Sequence, residues 1–160
     1  MAGWARALRF ALTSGTVASA TSAVALALLA RAEGQGLLQP VNSTSHWLNG
    51  EQAASFRGAD LAHTAVGYAT HHAATVFWAV LFERWVGARR PTGALTLMPD
   101  ALVLSAIAAA VDYGATPKRF TPGWEFVLSK RSMAVAYLAM AFGLAAGASM
   151  NRHAGRNRTQ

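Results

Sequence analysis

The chain has 160 residues, 53% hydrophobic and only 13% charged, with a net charge of +7 and no cysteine. A soluble domain normally carries about a quarter charged residues, so the composition argues against one, and the missing thiols exclude disulfides, thiolate metal sites, iron–sulfur clusters and cysteine nucleophiles. The positive charge stands in short clusters at the ends of apolar stretches, which is a membrane-interface placement and argues against nucleic acid as a partner.

Four apolar stretches follow one another at 8–30, 61–83, 94–114 and 132–150. Each is close to the ~20 residues that cross a hydrocarbon core of ~30 Å. The expectation is an all-α chain: one integral membrane domain over residues 1–160, folded as a four-helix transmembrane bundle, with the lipid bilayer as its main partner.

The first stretch follows Arg6 and Arg9, and Ala30-Arg31-Ala32 resembles a signal-peptidase site. Its apolar run exceeds the ~7–15 residues of a signal h-region, and Thr13, Ser14, Thr16, Ser19, Thr21 and Ser22 suit helix packing, so it is read as a span. Gly15, Ser19 and Ala23 form a small-residue ridge at four-residue spacing, the pattern that lets helix backbones approach closely in lipid.

Residues 31–60 read as the longest polar loop, broken by Pro40 and by Asn42-Ser43-Thr44-Ser45, with helical turns between Glu51 and Arg57 and Asp60 as the cap of the second span. Asn42-Ser43-Thr44 matches a glycosylation sequon; in a bacterial chain, which the arginine-over-lysine usage and high alanine content point to, it reads as a polar turn.

The second span, within HTAVGYATHHAATVFWAVLFERW, carries the only histidines placed inside apolar stretches. At ~1.5 Å per residue His71 and His72 lie some 12–14 Å deeper than His63, and the ~100° turn per residue points them in different directions. Tyr68 neighbours both faces, and Glu83 shares that of His72. Intramembrane ionisable groups are functional candidates by default, so His71, His72, Tyr68 and Glu83 form the first candidate set. The competing expectation is structural: Ser19, Thr21 and Ser22 of the first span, Ser105 of the third and Tyr137 of the fourth stand at matching depth and can hydrogen-bond a neutral imidazole. Zinc on one helix would want the HExxH spacing, which is absent. Axial haem ligation would need Met140 of the fourth span, or a histidine of a second protomer, opposite one of these histidines. Neither haem nor a divalent metal is favoured as a cofactor, and both stay open.

A second set, His46, His63, Asp112 and Glu125, is expected near the outer edge, where Asp112 and Tyr113 top the third span. Mixed imidazole and carboxylate ligands suit zinc or another divalent ion. Against that stand simple capping and snorkelling, Asp112 toward Lys118 or Arg119 and Glu125 toward its own helix. In the loop that follows, Thr121 reads as an N-cap with Pro122 at the first helical position, so the last helix is expected to begin near 122 and to enter the membrane after Arg131. Its ridge is Ala139, Gly143 and Gly147, which serves either a tight bundle or a homodimer.

The string DYGATPKRFTPGWEFVLSKRS and the Ala/Gly-rich span after it resemble small four-span bacterial inner-membrane proteins of uncharacterised type, over residues 112–147. The resemblance implies a fold and a location and brings no activity, ligand or catalytic residue. Basic clusters at Arg6 and Arg9, at Arg84, Arg89 and Arg90, and at Arg152, Arg156 and Arg158 place both termini and the middle loop inside by the positive-inside rule. Arg31, Arg57, Lys118, Arg119, Lys130 and Arg131 count the other way. There is no phosphate loop, nucleophile elbow or close carboxylate pair. The expected function is therefore a non-catalytic accessory, scaffold or minor transport component of the bacterial inner membrane, N-in and C-in, alone, as a homodimer or within a larger membrane complex. The alternative is a metal- or haem-binding protein of redox or ion-handling type that uses the histidines.

Overall fold

The computed structural model describes residues 2–87 and 93–157. Arg89, Arg90 and Arg158, used above for orientation, lie outside the described residues, as does the side chain of Arg156. The described chain is helical, with no strand: α1 (Ala2–Ala32), two short helices α2 (Gln39–Ser43) and α3 (His46–Asn49), then the long α4 (Val66–Val86), α5 (Ala94–Gly114) and α6 (Lys130–Asn157). Three helices among the described residues, over Gly3–Ala32, Ala94–Gly114 and Lys130–Ala154, are long and apolar enough to cross a membrane, and the chain is a multi-pass membrane protein by that measure. The expected second span is not among those three.

α1 is the hub. It packs along α6 on one side and α4 on the other, while α5 lies on α6 and touches α4 more lightly. The residue pattern explains this. On α1 the buried positions are mostly small, including Ala7, Ala11, Ser14, Ala18, Ser19 and Ser22, with Leu26 the large exception, whereas Leu8, Leu12, Val24 and Leu28 point outward. Lipid solvates leucine as well as a protein core does, so helices associate through backbone proximity and hydrogen bonds. α6 presents Gly143 and Gly147 to that small face. A Cβ on Gly147 would lie 2.5 Å from Cα of Ser14, and one on Gly143 would collide with Ala18 and the Thr21 hydroxyl. The Thr21 hydroxyl donates to the Ala139 carbonyl at 3.0 Å across the same seam. Gly15 serves the other partner: a Cβ there would be 2.8 Å from Cα of Val76 on α4. The ridge expected on α6 therefore meets α1 within the chain.

One boundary and one loop depart from expectation. Thr121 does not start the last helix. Its hydroxyl donates to Glu125 at 2.5 Å, residues 124–126 form a single 3-10 turn, and α6 begins at Lys130. Pro122 and Gly123 break the backbone in between, Gly123 in the left-handed region at φ +80°. The cap is Ser129, whose hydroxyl accepts from the Ser132 amide at 3.3 Å. Glu33, just beyond α1, then accepts from the Ser129 amide at 2.9 Å, the Ser129 hydroxyl at 2.6 Å and the Ser132 hydroxyl at 2.5 Å. One carboxylate thus fastens the end of α1 to the start of α6. At the head of α4, Asp60 accepts from the amides of His63 and Thr64, as its capping role requires, and Leu61–Ala65 form a wider π turn before regular helix resumes.

The second departure concerns the first loop. Residues 39–46 are buried rather than loose on the surface. Asn42, the sequon residue, is fully enclosed; its amide donates to the carbonyls of Phe56 at 2.8 Å and Gly58 at 3.0 Å and accepts from Thr64 at 2.7 Å. It is a structural tie and offers no glycan acceptor. α4 approaches α2 so closely that a Cβ on Gly67 would overlap the Val41 carbonyl.

Two measurements check this packing. Gly143→Leu should lower the melting temperature in detergent by the equivalent of about 1–3 kcal/mol or more, the range for overpacking a closed contact, while Gly114→Ala, with nothing within 4 Å of its Cβ, should change little; equal melting temperatures would refute the seam. The Glu33 carboxyl is held below its ordinary 4.5, first by the Ser129 hydroxyl, then by Ser132 and the Ser129 amide. Because the folded value is the lower one, the clamp contributes fully above pH ~4.5 and is lost as the pH falls below it. Melting temperature should drop as the pH falls below ~4.5 in the native chain and drop less in Glu33→Gln; identical pH profiles would exclude the clamp.

Candidate functional site

The His71 site is assembled by α1 and α4. His71 sits one turn before Thr75 on the face that α4 turns toward α1, and it is 5% exposed. Its Nε2 lies 3.1 Å from the Ser22 hydroxyl and 3.2 Å from the Ser19 carbonyl. The Ser22 hydroxyl already donates to the Ala18 carbonyl at 2.7 Å, and a carbonyl only accepts. The network is therefore met by an Nε2–H tautomer that donates to both oxygens, an assignment made from the partners. Ser19 contributes its carbonyl, while its own hydroxyl is buried with no hydrogen-bond partner among the described residues, as is that of Ser105. Thr75 turns back on the His71 carbonyl at 2.8 Å. The His71 ring is flanked by Trp124 at 5.7 Å and Tyr68 at 6.4 Å.

His72 points elsewhere, as the helix geometry requires. It is half-buried, its ring stacks on Tyr68 at 6.1 Å, and its Nδ1 finds no hydrogen-bond partner among the described residues. Glu83 does not serve His72. It is 3% exposed at the opposite end of α4, accepts from the Asn151 amide at 3.2 Å and stands 3.6 Å from the Arg152 guanidinium. Asn151 also donates to the Phe10 carbonyl at 2.9 Å, and Arg6 to the Gly87 carbonyl at 2.9 Å. A buried carboxylate is tolerable only with such partners, and these tie α1, α4 and α6 at the end where both chain termini lie.

The outer set His46, His63, Asp112 and Glu125 is not brought together, and among the described residues no group of three or more such side chains is placed to hold a metal ion. Each has another partner. His46, expected in the loop near the outer edge, is buried with its two ring nitrogens 3.0 Å and 3.1 Å from the carbonyls of Ser43 and Lys118. His63 pairs with Asp60 at 2.9 Å and stacks on Phe56 at 4.4 Å; this pairing, with the His63 amide, holds the Asp60 carboxyl below its ordinary range. Asp112 accepts from the Tyr137 hydroxyl at 2.6 Å rather than meeting Lys118 or Arg119. Glu125 is exposed and bound to Thr121.

Sequence reasoning missed Trp124. It is 4% exposed, donating to the Thr44 hydroxyl at 3.2 Å and packing against both His71 and Tyr137. It covers the His71 site. The one signal for it was Gly123: a left-handed residue whose Cβ would come 2.5 Å from the Ser43 carbonyl folds the chain tightly back at that point.

The His71 contact sets a measurable expectation. His71→Leu should cost about 0.6 kcal/mol and at most about 2, the range of interhelical hydrogen bonds in membranes. His71→Gln, whose amide nitrogen reaches the Nε2 position, should recover most of it; a leucine variant that melts like the native chain would show that the tie contributes nothing. Compared with family models, with curated proteins and with solved structures, the chain matches none.

Proposed function

We propose that this chain is a four-span protein of the bacterial inner membrane, N-in and C-in, that acts without catalysis as an accessory, scaffold or minor transport component. The observation that supports the fourth span is the sidedness of α4. Its histidines and threonines make it less apolar than the other long helices, yet His71, Thr75 and Glu83 all turn inward and are satisfied there, whereas Phe77 is 57% exposed on the outside. A helix of 21 residues rises about 32 Å, enough for a hydrocarbon core of ~30 Å. Polar groups that are bonded inside the protein impose little of the penalty that lipid exposure would.

The non-catalytic reading is supported by the engagement of the same groups. The reactive nitrogen of His71 is committed to α1, and Glu83 is committed to α6. Exposed apolar side chains along α5, including Leu102, Val103 and Ile107, present the lipid or partner-facing surface such a subunit needs.

Reporter fusions test the topology. Alkaline phosphatase fused after Gly58 should be active, and fusions after Gly87 and after Gln160 should be inactive but fluorescent with GFP. Equal phosphatase activity after Gly58 and Gly87 would mean that α4 does not cross; activity after Gln160 would overturn the orientation.

A further inference from the structure

Between α3 and the turn Lys118–Phe120 lies an open cleft of about 420 Å³, inside the range of about 300–1,000 Å³ typical of small-ligand sites. Trp47, Gly50 and Glu51 form one wall, and Lys118 and Arg119 the other. The walls are held by backbone acceptors: Arg119 Nε donates to the Trp47 carbonyl at 3.2 Å, and His46 reaches the Lys118 carbonyl. Trp47 is itself anchored, its indole N–H donating to Thr70 at 3.2 Å. This leaves the Lys118 ammonium and the Glu51 carboxylate, both of residues that line the cleft, without an ion-pair partner among the described residues. Large apolar side chains flank them: Leu48, 59% exposed, lines the cleft, and Phe120, 60% exposed, follows Arg119. Two cations, one anion, an indole and an apolar rim together fit an amphiphile at the depth where polar headgroups meet acyl chains.

We propose that this cleft binds the headgroup of a zwitterionic phospholipid with a primary ammonium, of the phosphatidylethanolamine type. The phosphate lies between Lys118 and Arg119, which donate charge-assisted hydrogen bonds to its oxygens. The ammonium turns to Glu51 and the face of Trp47. A glycerol headgroup offers Glu51 only neutral hydroxyl donors and no cation to pair with its charge, and a quaternary ammonium has no N–H for the carboxylate. A free phosphate ester shares the polar chemistry, but Leu48 and Phe120 favour the lipid. This inference rests on the reading of this end of the helices as a membrane interface.

The experiment is native mass spectrometry of the full chain released from detergent, titrated with phosphatidylethanolamine, phosphatidylcholine, phosphatidylglycerol and soluble O-phosphoethanolamine. Phosphatidylethanolamine should bind about three- to tenfold more tightly than the other two lipids. Lys118→Gln should weaken it by a similar factor, and Glu51→Gln should erase its advantage over phosphatidylglycerol. Both side chains are exposed and outside the hydrogen-bond scheme, so melting temperature should be unchanged. Equal binding of the three lipids, or a Lys118→Gln variant that binds as the native chain does, overturns the site. Displacement of the lipid by equimolar O-phosphoethanolamine overturns the lipid assignment in favour of a soluble phosphate ester. Failure of the membrane reading is separately visible: the chain would then leave the membrane fraction without detergent.

Discussion

The arrangement depends on the absence of side chain where α1 meets its neighbours. Ser14, Ala18 and Thr21 face Gly143 and Gly147 of α6, and Gly15 faces Val76 of α4. In a solvent of hydrocarbon there is no gain from hiding leucine, so the contact must come from backbone dispersion and from hydroxyl-to-carbonyl bonds such as Thr21 to Ala139. Everything else is placed by that choice. His71 reaches Ser19 and Ser22 only because Gly15 lets α4 come close, and Asn151 reaches Phe10 only because Gly147 does the same for α6.

The polar groups are distributed to match. They occur at three levels: Glu83 with Asn151 and Arg152 and His71 with Ser22 along the long helices, and Trp124 with Thr44 and Asn42 in the connecting segments. Each level ties segments that are separate in sequence. A buried polar contact contributes little net free energy but strongly penalises any register in which it is unmade, so three levels act as a ruler for helix alignment.

Much of this was legible in the sequence, and the parts that were not share a cause. Long apolar runs with basic ends located the long helices, and the limits 94–114 coincide with α5, because length and hydropathy are properties of one segment. The spacing of Ala139, Gly143 and Gly147 was equally visible, though not which helix it would meet. The burial of residues 39–46 was hidden. Asn-Ser-Thr-Ser reads as a surface turn because its partners, the carbonyls of Phe56 and Gly58 and the indole of Trp124, come from elsewhere in the chain. The same holds for His46 and Asp112: residue type offered metal ligands, while the neighbours that claim them, Lys118 and Tyr137, are a matter of tertiary placement.

The hydroxyls of α1 carry a consequence for biosynthesis. α1 is synthesised well before its main partner α6, so during insertion it must reside in lipid with its polar seams uncovered. Ser14 bonds back to the Phe10 carbonyl, Thr16 to Leu12, Thr21 to Val17 and Ser22 to Ala18, all within α1 itself. These i to i−4 bonds give these four hydroxyls a partner before any other helix arrives. The segment is thus soluble in the bilayer as an isolated intermediate and adhesive once α4 and then α6 emerge, a sequence of events that larger or unpaired polar side chains at the same positions would not permit.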